Sequence, residues 1–482
     1  MRTWTGMAAL LALTFWLASC ATNPATGEKQ FSLVSSSQEA QMGAEADKEV
    51  AASMGYYEDP ALAAYVTQVG QKLASVTEEP NLGWHFHVVD SPEVNAFALP
   101  GGYIYVTRGI LAVVNNEAQL AGVMGHEEGH VTARHSAQQM TNAELANIGL
   151  GVGSIVSPDI RQIAGLANTG LQLLFLKFSR ANETQADELG VRYATRGGWD
   201  PREIPATYQA LGRLQAKSGS AVPNFLATHP DPGNREQTTR ALAQQAIAGK
   251  DPKTLRVATA EYKTKISGMV YGDDPRQGFF ENGVFYHPGL KFQVAFPSGW
   301  QTQNTKSAVI AANSDQSNAI QLSVVSAQNT SSPSAYVQWL QQKGVQVTGG
   351  GTERVNGWPA WVGTVATQSS DGTTSQLALA VVQRESGSYY QFLGAPVGAV
   401  NSAFRSTVQS FRDLSDPAKL DRQPNRIQLV TVSRSGQTVA GVAKGVSGLA
   451  VPVEEVAFLN NLETDSPLPQ GFELKVVTRG AR

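Results

Sequence analysis

His126-Glu127-Glu128-Gly129-His130, followed downstream by Glu183-Thr184-Gln185-Ala186-Asp187, holds the residues on which the reading of this chain turns. Each residue of a helix advances by about 100°, so histidines at i and i+4 leave one face a turn apart and both reach one Zn2+. Glu127 then stands beside the open coordination position, where it takes a proton from the metal-bound water and hands it to a leaving amine. Glu183 and Asp187 repeat the i, i+4 spacing, which lets one carboxylate bind metal while the other holds a ligand imidazole from behind. The bland alternative is a solvated helix face carrying two histidines and two acids, and the order of the two motifs argues against it.

The context is helical. Asn115 and Asn116 offer N-caps, and Ala118 to Gln138 runs without proline, with Leu120, Val123, Met124 and Val131 available for a buried stripe. Gly122, Gly125 and Gly129 lie inside this helix, each at a cost of about 1 kcal/mol relative to alanine. Three such costs predict that something approaches the helix backbone closely.

At these residues the chain resembles the HtpX- and CAAX-protease-related family of zinc peptidases. These are gluzincins, in which two histidines and a downstream glutamate hold the metal, and the likeness is greatest to bacterial lipoprotein members of the BepA and LoiP type. It runs through Asn23-Pro24-Ala25-Thr26-Gly27, Asn95-Ala96-Phe97-Ala98-Leu99-Pro100-Gly101-Gly102, the HExxH helix, Ser179-Arg180-Ala181-Asn182-Glu183, and Thr228-His229-Pro230 with Arg235. The resemblance implies one Zn2+ per chain held by His126, His130 and Glu183, with Glu127 as general base and Asp187 orienting a histidine. It also sets His229 near the site, either stabilising the oxyanion or occupying the fourth zinc position at rest, against the alternative of a loop-anchoring histidine. Arg235 reads as a carboxylate's structural partner. Asn95, Ala96, Phe97 and Ala98 become a candidate strand for pairing with extended substrate, against an ordinary core hairpin. One departure stands out: Glu128 replaces the family's usual aliphatic residue, and a carboxylate there must be solvated, paired, or buried and neutralised.

Other histidines read differently. His85 and His87 alternate along Trp84 to Val89, which predicts that both face solvent from one side of a strand. His135, five residues past His130, projects away from the metal-facing side if the helix continues straight.

Met1 to Cys20 has Arg2, an apolar run from Met7 to Leu17 and the sequence Leu17-Ala18-Ser19-Cys20, which reads as a signal peptide with a lipobox. Cys20 is the expected lipidation site and the single cysteine of the 482 residues, so a mature chain has no internal disulfide. Ala21 after it points to the outer membrane. A net charge of -3 without a dense Lys/Arg cluster excludes nucleic acid as the expected partner. The apolar run Leu171 to Phe178, broken by Lys177, reads as a buried helix rather than a span.

The expected fold is multidomain. A tether over 21–37 leads into a mainly helical, zincin-type α+β peptidase domain over 38–265, with a helical stretch from Gln38 to Leu73 and a small sheet. After the linker Gly272-Asp273-Asp274-Pro275, alternating strands and two helices give an α+β, PsbP-like accessory domain over 278–413. Residues 425–477 resemble a small LysM-like module; such modules often bind peptidoglycan, and a structural docking role stands equally open. The functional expectation is a periplasmic, lipid-anchored zinc endopeptidase of the outer membrane that hydrolyses misfolded or misassembled envelope polypeptides. The alternative is a catalytically silent binding or chaperone lipoprotein on the same scaffold.

Overall fold

The computed structural model describes residues 20–150, 178–218, 225, 228–229, 232–327, 330–368 and 374–480. The signal-peptide reading up to residue 19 and the apolar run over 171–177 lie outside the described residues. Cys20 lies in β1 (Cys20–Thr22), paired with β2 (Lys29–Phe31) so that it faces Phe31. The stretch expected as a tether therefore carries a hairpin, and it is docked: Asn23 Nδ2 donates to the Ala133 carbonyl at 3.2 Å, and the Leu33 amide donates to Thr141 at 3.1 Å.

The helical stretch expected from Gln38 to Leu73 is two helices, α1 (Ser36–Ser53) and α2 (Pro60–Ala74). Gly55 at φ +71° ends the first, while Asp59 caps the second and Pro60 fills its first position. A three-stranded sheet follows in the order β3 (His85–Val89), β5 (Tyr103–Thr107), β4 (Ala96–Leu99), with β3 parallel and β4 antiparallel to the central strand. His85 is exposed, but His87 is not the solvent-facing residue expected. Its ring stacks at 4.3 Å on Tyr56, below α1, which covers that face of the sheet.

A short helix α3 (Arg108–Val113) leads into α4 (Glu117–Thr132), which carries the HExxH motif, and α5 (His135–Leu150). Beyond them lie α6 (Arg180–Arg196), α7 (Ile204–Ser218), α8 (Pro232–Ala246) and α9 (Thr259–Ile266). Every residue of α4 except Val131 is buried, so the expected stripe is a helix enclosed on all sides at the centre of its core.

Residues 279–413 form a seven-stranded antiparallel sheet, flanked on one side by a four-stranded sheet and α11 (Val397–Ser410) and on the other by α10 (Pro333–Gln342). Along the strand Thr374–Glu385, Leu377, Leu379 and Val381 face α10 while Ala378, Ala380 and Val382 face α11. Both faces are covered, which explains an unbroken apolar run where a one-sided sheet would alternate. The tail pairs the strand Asn425–Thr431 with Glu473–Arg479 around two short helices, Val439–Lys444 and Val453–Leu459. Its Phe458, Leu459 and Val477 join the same apolar core as α2, α3 and α4. No described helix is long and apolar enough to cross a membrane.

Candidate metal centre

Asn116 begins the site by capping α4, its Oδ1 accepting from the Gln119 amide at 2.9 Å. Glu117 at the first position is buried and accepts from Tyr65, Trp199 and Arg256, which pins the helix start from three directions. The glycines then account for what lies alongside. A Cβ on Gly125 would fall 3.2 Å from the Gly190 carbonyl, one on Gly129 3.0 Å from Leu189 Cβ, and one on Gly190 2.9 Å from the His126 amide. Helix α6 thus runs against α4 backbone to backbone, at a distance open only to glycine, and this contact brings Glu183 and Asp187 beside the two histidines.

His126, His130, Glu183 and His229 offer one ligand atom each within 4.8 Å of one another, and all four are buried. The Nε2 atoms of His126 and His130 lie 3.0 Å apart, close to the spacing of about 3.3 Å that two imidazoles sharing one tetrahedral ion at 2.0–2.1 Å would have. Hydrogen bonds behind the rings set which nitrogen faces inward. His126 Nδ1 lies 2.9 Å from Asp187 Oδ1, a carboxylate that favours the proton on Nδ1 and the Nε2 lone pair toward the cluster. His130 is set through a relay: Gln185 Oε1 accepts from His135 Nε2 at 2.9 Å, so His135 Nδ1 accepts from His130 Nδ1 at 3.0 Å. Burial pushes the His135 imidazole down to about 4, which keeps it neutral and able to accept. Two lone pairs aimed at one buried point, with a carboxylate beside them, fit a metal cation and little else.

His135 is therefore a partner of His130, contrary to the outward projection expected from a straight helix. Arg134 takes a left-handed conformation at φ 57°, breaking the helix after Thr132 and swinging His135 back. No signal in the sequence marked this break.

Burial alone would raise the Glu183 carboxyl, but His229, His126 and Arg235 hold it below its ordinary value. Arg235 joins two carboxylates of α6, with Nη2 2.6 Å from Asp187 Oδ1 and Nη1 2.7 Å from Glu183 Oε2. The latter contact is an ion pair without hydrogen-bond alignment, since Glu183 Oε2 has no hydrogen-bond partner among the described residues. His229 Nδ1 lies 2.9 Å from Glu183 Oε1 and its Nε2 lies 3.7 Å from Glu127 Oε1. Burial opposes protonation of that ring, yet the Glu183 and Glu127 carboxylates carry it above the ordinary histidine value. Phe225 stacks on His229 at 4.7 Å, and the Phe178 ring lies 4.0 Å from His130.

Glu127 is buried beside this cluster, with neither oxygen hydrogen-bonded among the described residues. Glu128 is fully buried and equally without a partner there, and burial lifts its carboxyl well above the ordinary range. Of the fates open to Glu128, solvation is excluded by its burial, and no described residue hydrogen-bonds it. A narrow cavity beside Glu127 is lined by Val123, Ile204, Leu211 and Phe225. Ala96 to Ala98 fall on β4, an edge strand of its sheet that packs against α4, and Asn95 immediately precedes it. The Thr107 amide donates to the Asn95 carbonyl at 3.1 Å, so by alternation the polar backbone of Ala96 and Ala98 points to the open edge.

Comparison with known proteins agrees with this centre. Residues 60–243 match the family described as Peptidase family M48. A beta-barrel assembly-enhancing protease of Yersinia pestis is 33% identical over 261 residues, which cover 52% of this chain and 52% of that protein. The mitochondrial metalloendopeptidase OMA1 of Arabidopsis thaliana is 38% identical over 177 residues, covering 36% of this chain and 34% of its own. The chain spans about half the length of the beta-barrel assembly-enhancing proteases it matches. A solution structure of cyanobacterial PsbP from Synechocystis covers 27% of this chain at 10% identity, with a TM-score of 0.22, and no fold is inferred from it. The matched residues include the whole buried cluster, so the part of the chain that is similar to Peptidase family M48, residues 60–243, is the part that builds this centre.

Proposed function

We propose that the chain is a zinc endopeptidase that cleaves misfolded or misassembled envelope polypeptides in the periplasm. The observation that carries this reading is the convergence of four buried ligand atoms within 4.8 Å beside the Glu127 carboxylate, which no described residue hydrogen-bonds. His126, His130 and Glu183 would hold zinc, which supplies Lewis-acid polarisation of the scissile carbonyl and acidification of the attacking water. Glu127 takes the proton released by that water and returns it to the departing amine. Asp187 keeps His126 in the tautomer that faces the cluster. Ala96 and Ala98 accept an extended polypeptide through backbone pairing, which holds many sequences without reading them, as a substrate defined by its unfolded state requires. In this reading Glu128 does not silence the site, because burial disfavours its charged form beside the ligands.

His229 fits the resting occupant of the fourth position, since its ring lies between Glu127 and Glu183. Replacing it with alanine is expected to weaken zinc binding about tenfold and to raise turnover. Unchanged values of both would leave it only an anchor of its loop. For the whole reading, zinc-loaded protein should cleave an unfolded polypeptide, and a chelator should end the cleavage until zinc is returned. Cleavage indifferent to chelation would sink it.

The cellular address rests on Cys20 with its lipobox and on the name of the Yersinia relative, a protease of beta-barrel assembly. Lipid anchoring at Cys20 to the outer membrane, and contact of the tail with peptidoglycan, belong to this same proposal. Cell fractionation and sedimentation with isolated murein would each refute its part by leaving the protein in the soluble fraction.

A further inference from the structure

Helix α7 works on two faces. Toward the site, the Tyr208 hydroxyl donates to Asp187 Oδ1 at 2.6 Å and accepts from Arg235 Nη2 at 2.9 Å. On the other side, Gln209, Arg213 and Lys217 form an i, i+4, i+8 stripe, and all three bind the C-terminal module. Asn461 Nδ2 donates to Gln209 Oε1 at 3.0 Å, Arg213 Nη1 donates to the Leu462 carbonyl at 3.1 Å and pairs with Glu463, and Lys217 pairs with Glu455.

The same module reaches the other approach to the motif. Lys475 is fully buried, and its Nζ donates to the carbonyls of Ala112 at 2.6 Å and Val114 at 2.9 Å. Those carbonyls close the C-terminal end of α3, where they have no partner within the helix, and three residues later α4 begins. Burying a lysine costs several kcal/mol unless such partners are fixed in place. A freely swinging appendage would leave it in water.

We infer that the C-terminal module is a fixed brace of the metal centre, holding α7 and the end of α3 so that Tyr208 keeps Asp187 on His126. The inference rests on the peptidase reading for its purpose, but its residues position the centre and touch no substrate. Partial detachment of the module should loosen the Asp187 carboxylate, and with it the imidazole of His126.

The test uses the full chain loaded with cobalt, whose visible spectrum reports ligand geometry. One variant carries Arg213→Glu with Lys217→Glu, a second Glu455→Lys with Glu463→Lys, and a third all four. These ion pairs are partly exposed and individually weak, so reversal in pairs is needed to open the contact. Either double variant is expected to weaken cobalt binding about tenfold, alter its spectrum and lower kcat with KM held within about twofold, and the quadruple variant is expected to restore all three. Gln209→Ala with Arg213→Ala carries the same test should the reversed chains fail to fold. Cobalt affinity unchanged in the double variants, or not restored in the quadruple one, overturns the brace. A wild type that binds cobalt normally and cleaves nothing would instead overturn the peptidase reading and leave the brace decided by the spectrum.

Discussion

Replacing Glu127 with glutamine is expected to lower kcat on an unfolded polypeptide by about 10²- to 10⁴-fold, while zinc content stays that of the wild type. The substitution keeps the shape and removes the basic oxygen. Its carboxylate makes no hydrogen bond to a proposed ligand among the described residues, and it lies 3.7 Å from His229 Nε2, so the metal has no reason to leave. Stability should hold or rise, because the charge removed is buried and has no hydrogen-bond partner among the described residues. Turnover, metal content and a urea unfolding curve measured on one preparation separate these effects. A variant as active as the wild type would mean that a contaminating protease, or a base other than Glu127, does the work.

The convergence of His126, His130 and Glu183 was legible in the sequence because it depends on spacings that a helix fixes by itself. Histidines four apart, and a glutamate and an aspartate four apart, leave little freedom once each segment is helical, and Gly125 and Gly129 announced a close neighbour without naming it. That neighbour is α6 at Gly190, a pairing between segments some 60 residues apart that no local pattern encodes. His135 was misread because its place depends on one left-handed residue, Arg134, in an otherwise helical run. Lys475 shows the same limit in a strand. Leu474 and Val476 face the tail's own small core, and alternation puts Lys475 and Val477 on the opposite side, where solvent is the natural expectation. The peptidase core occupies that side instead, which only the tertiary structure reveals. In the accessory region the strand Gln346–Val355 escaped notice because Gly349, Gly350 and Gly351 interrupt its alternation, and a register shift there marks the bulge they allow.

Replacing Arg235 with methionine is expected to destabilise the metal-free protein by about 3–5 kcal/mol, the usual cost of stranding buried charge. Its guanidinium is 6% exposed and neutralises two carboxylates at once, with Nε 2.8 Å from Asp187 Oδ2 and Nη1 2.7 Å from Glu183 Oε2. Methionine fills much of the volume, so the loss reports charge more than cavity. The size of the effect should depend on metal. A divalent cation at the cluster offsets the negative charge that Arg235 no longer meets, so zinc should stabilise the variant more than it stabilises the wild type, narrowing the gap between them. Thermal unfolding of both proteins, with zinc and with chelator, measures the four corners of this cycle. Equal destabilisation in the two conditions would mean that no cation joins these carboxylates, and the four convergent side chains would then be a structural knot rather than a metal centre.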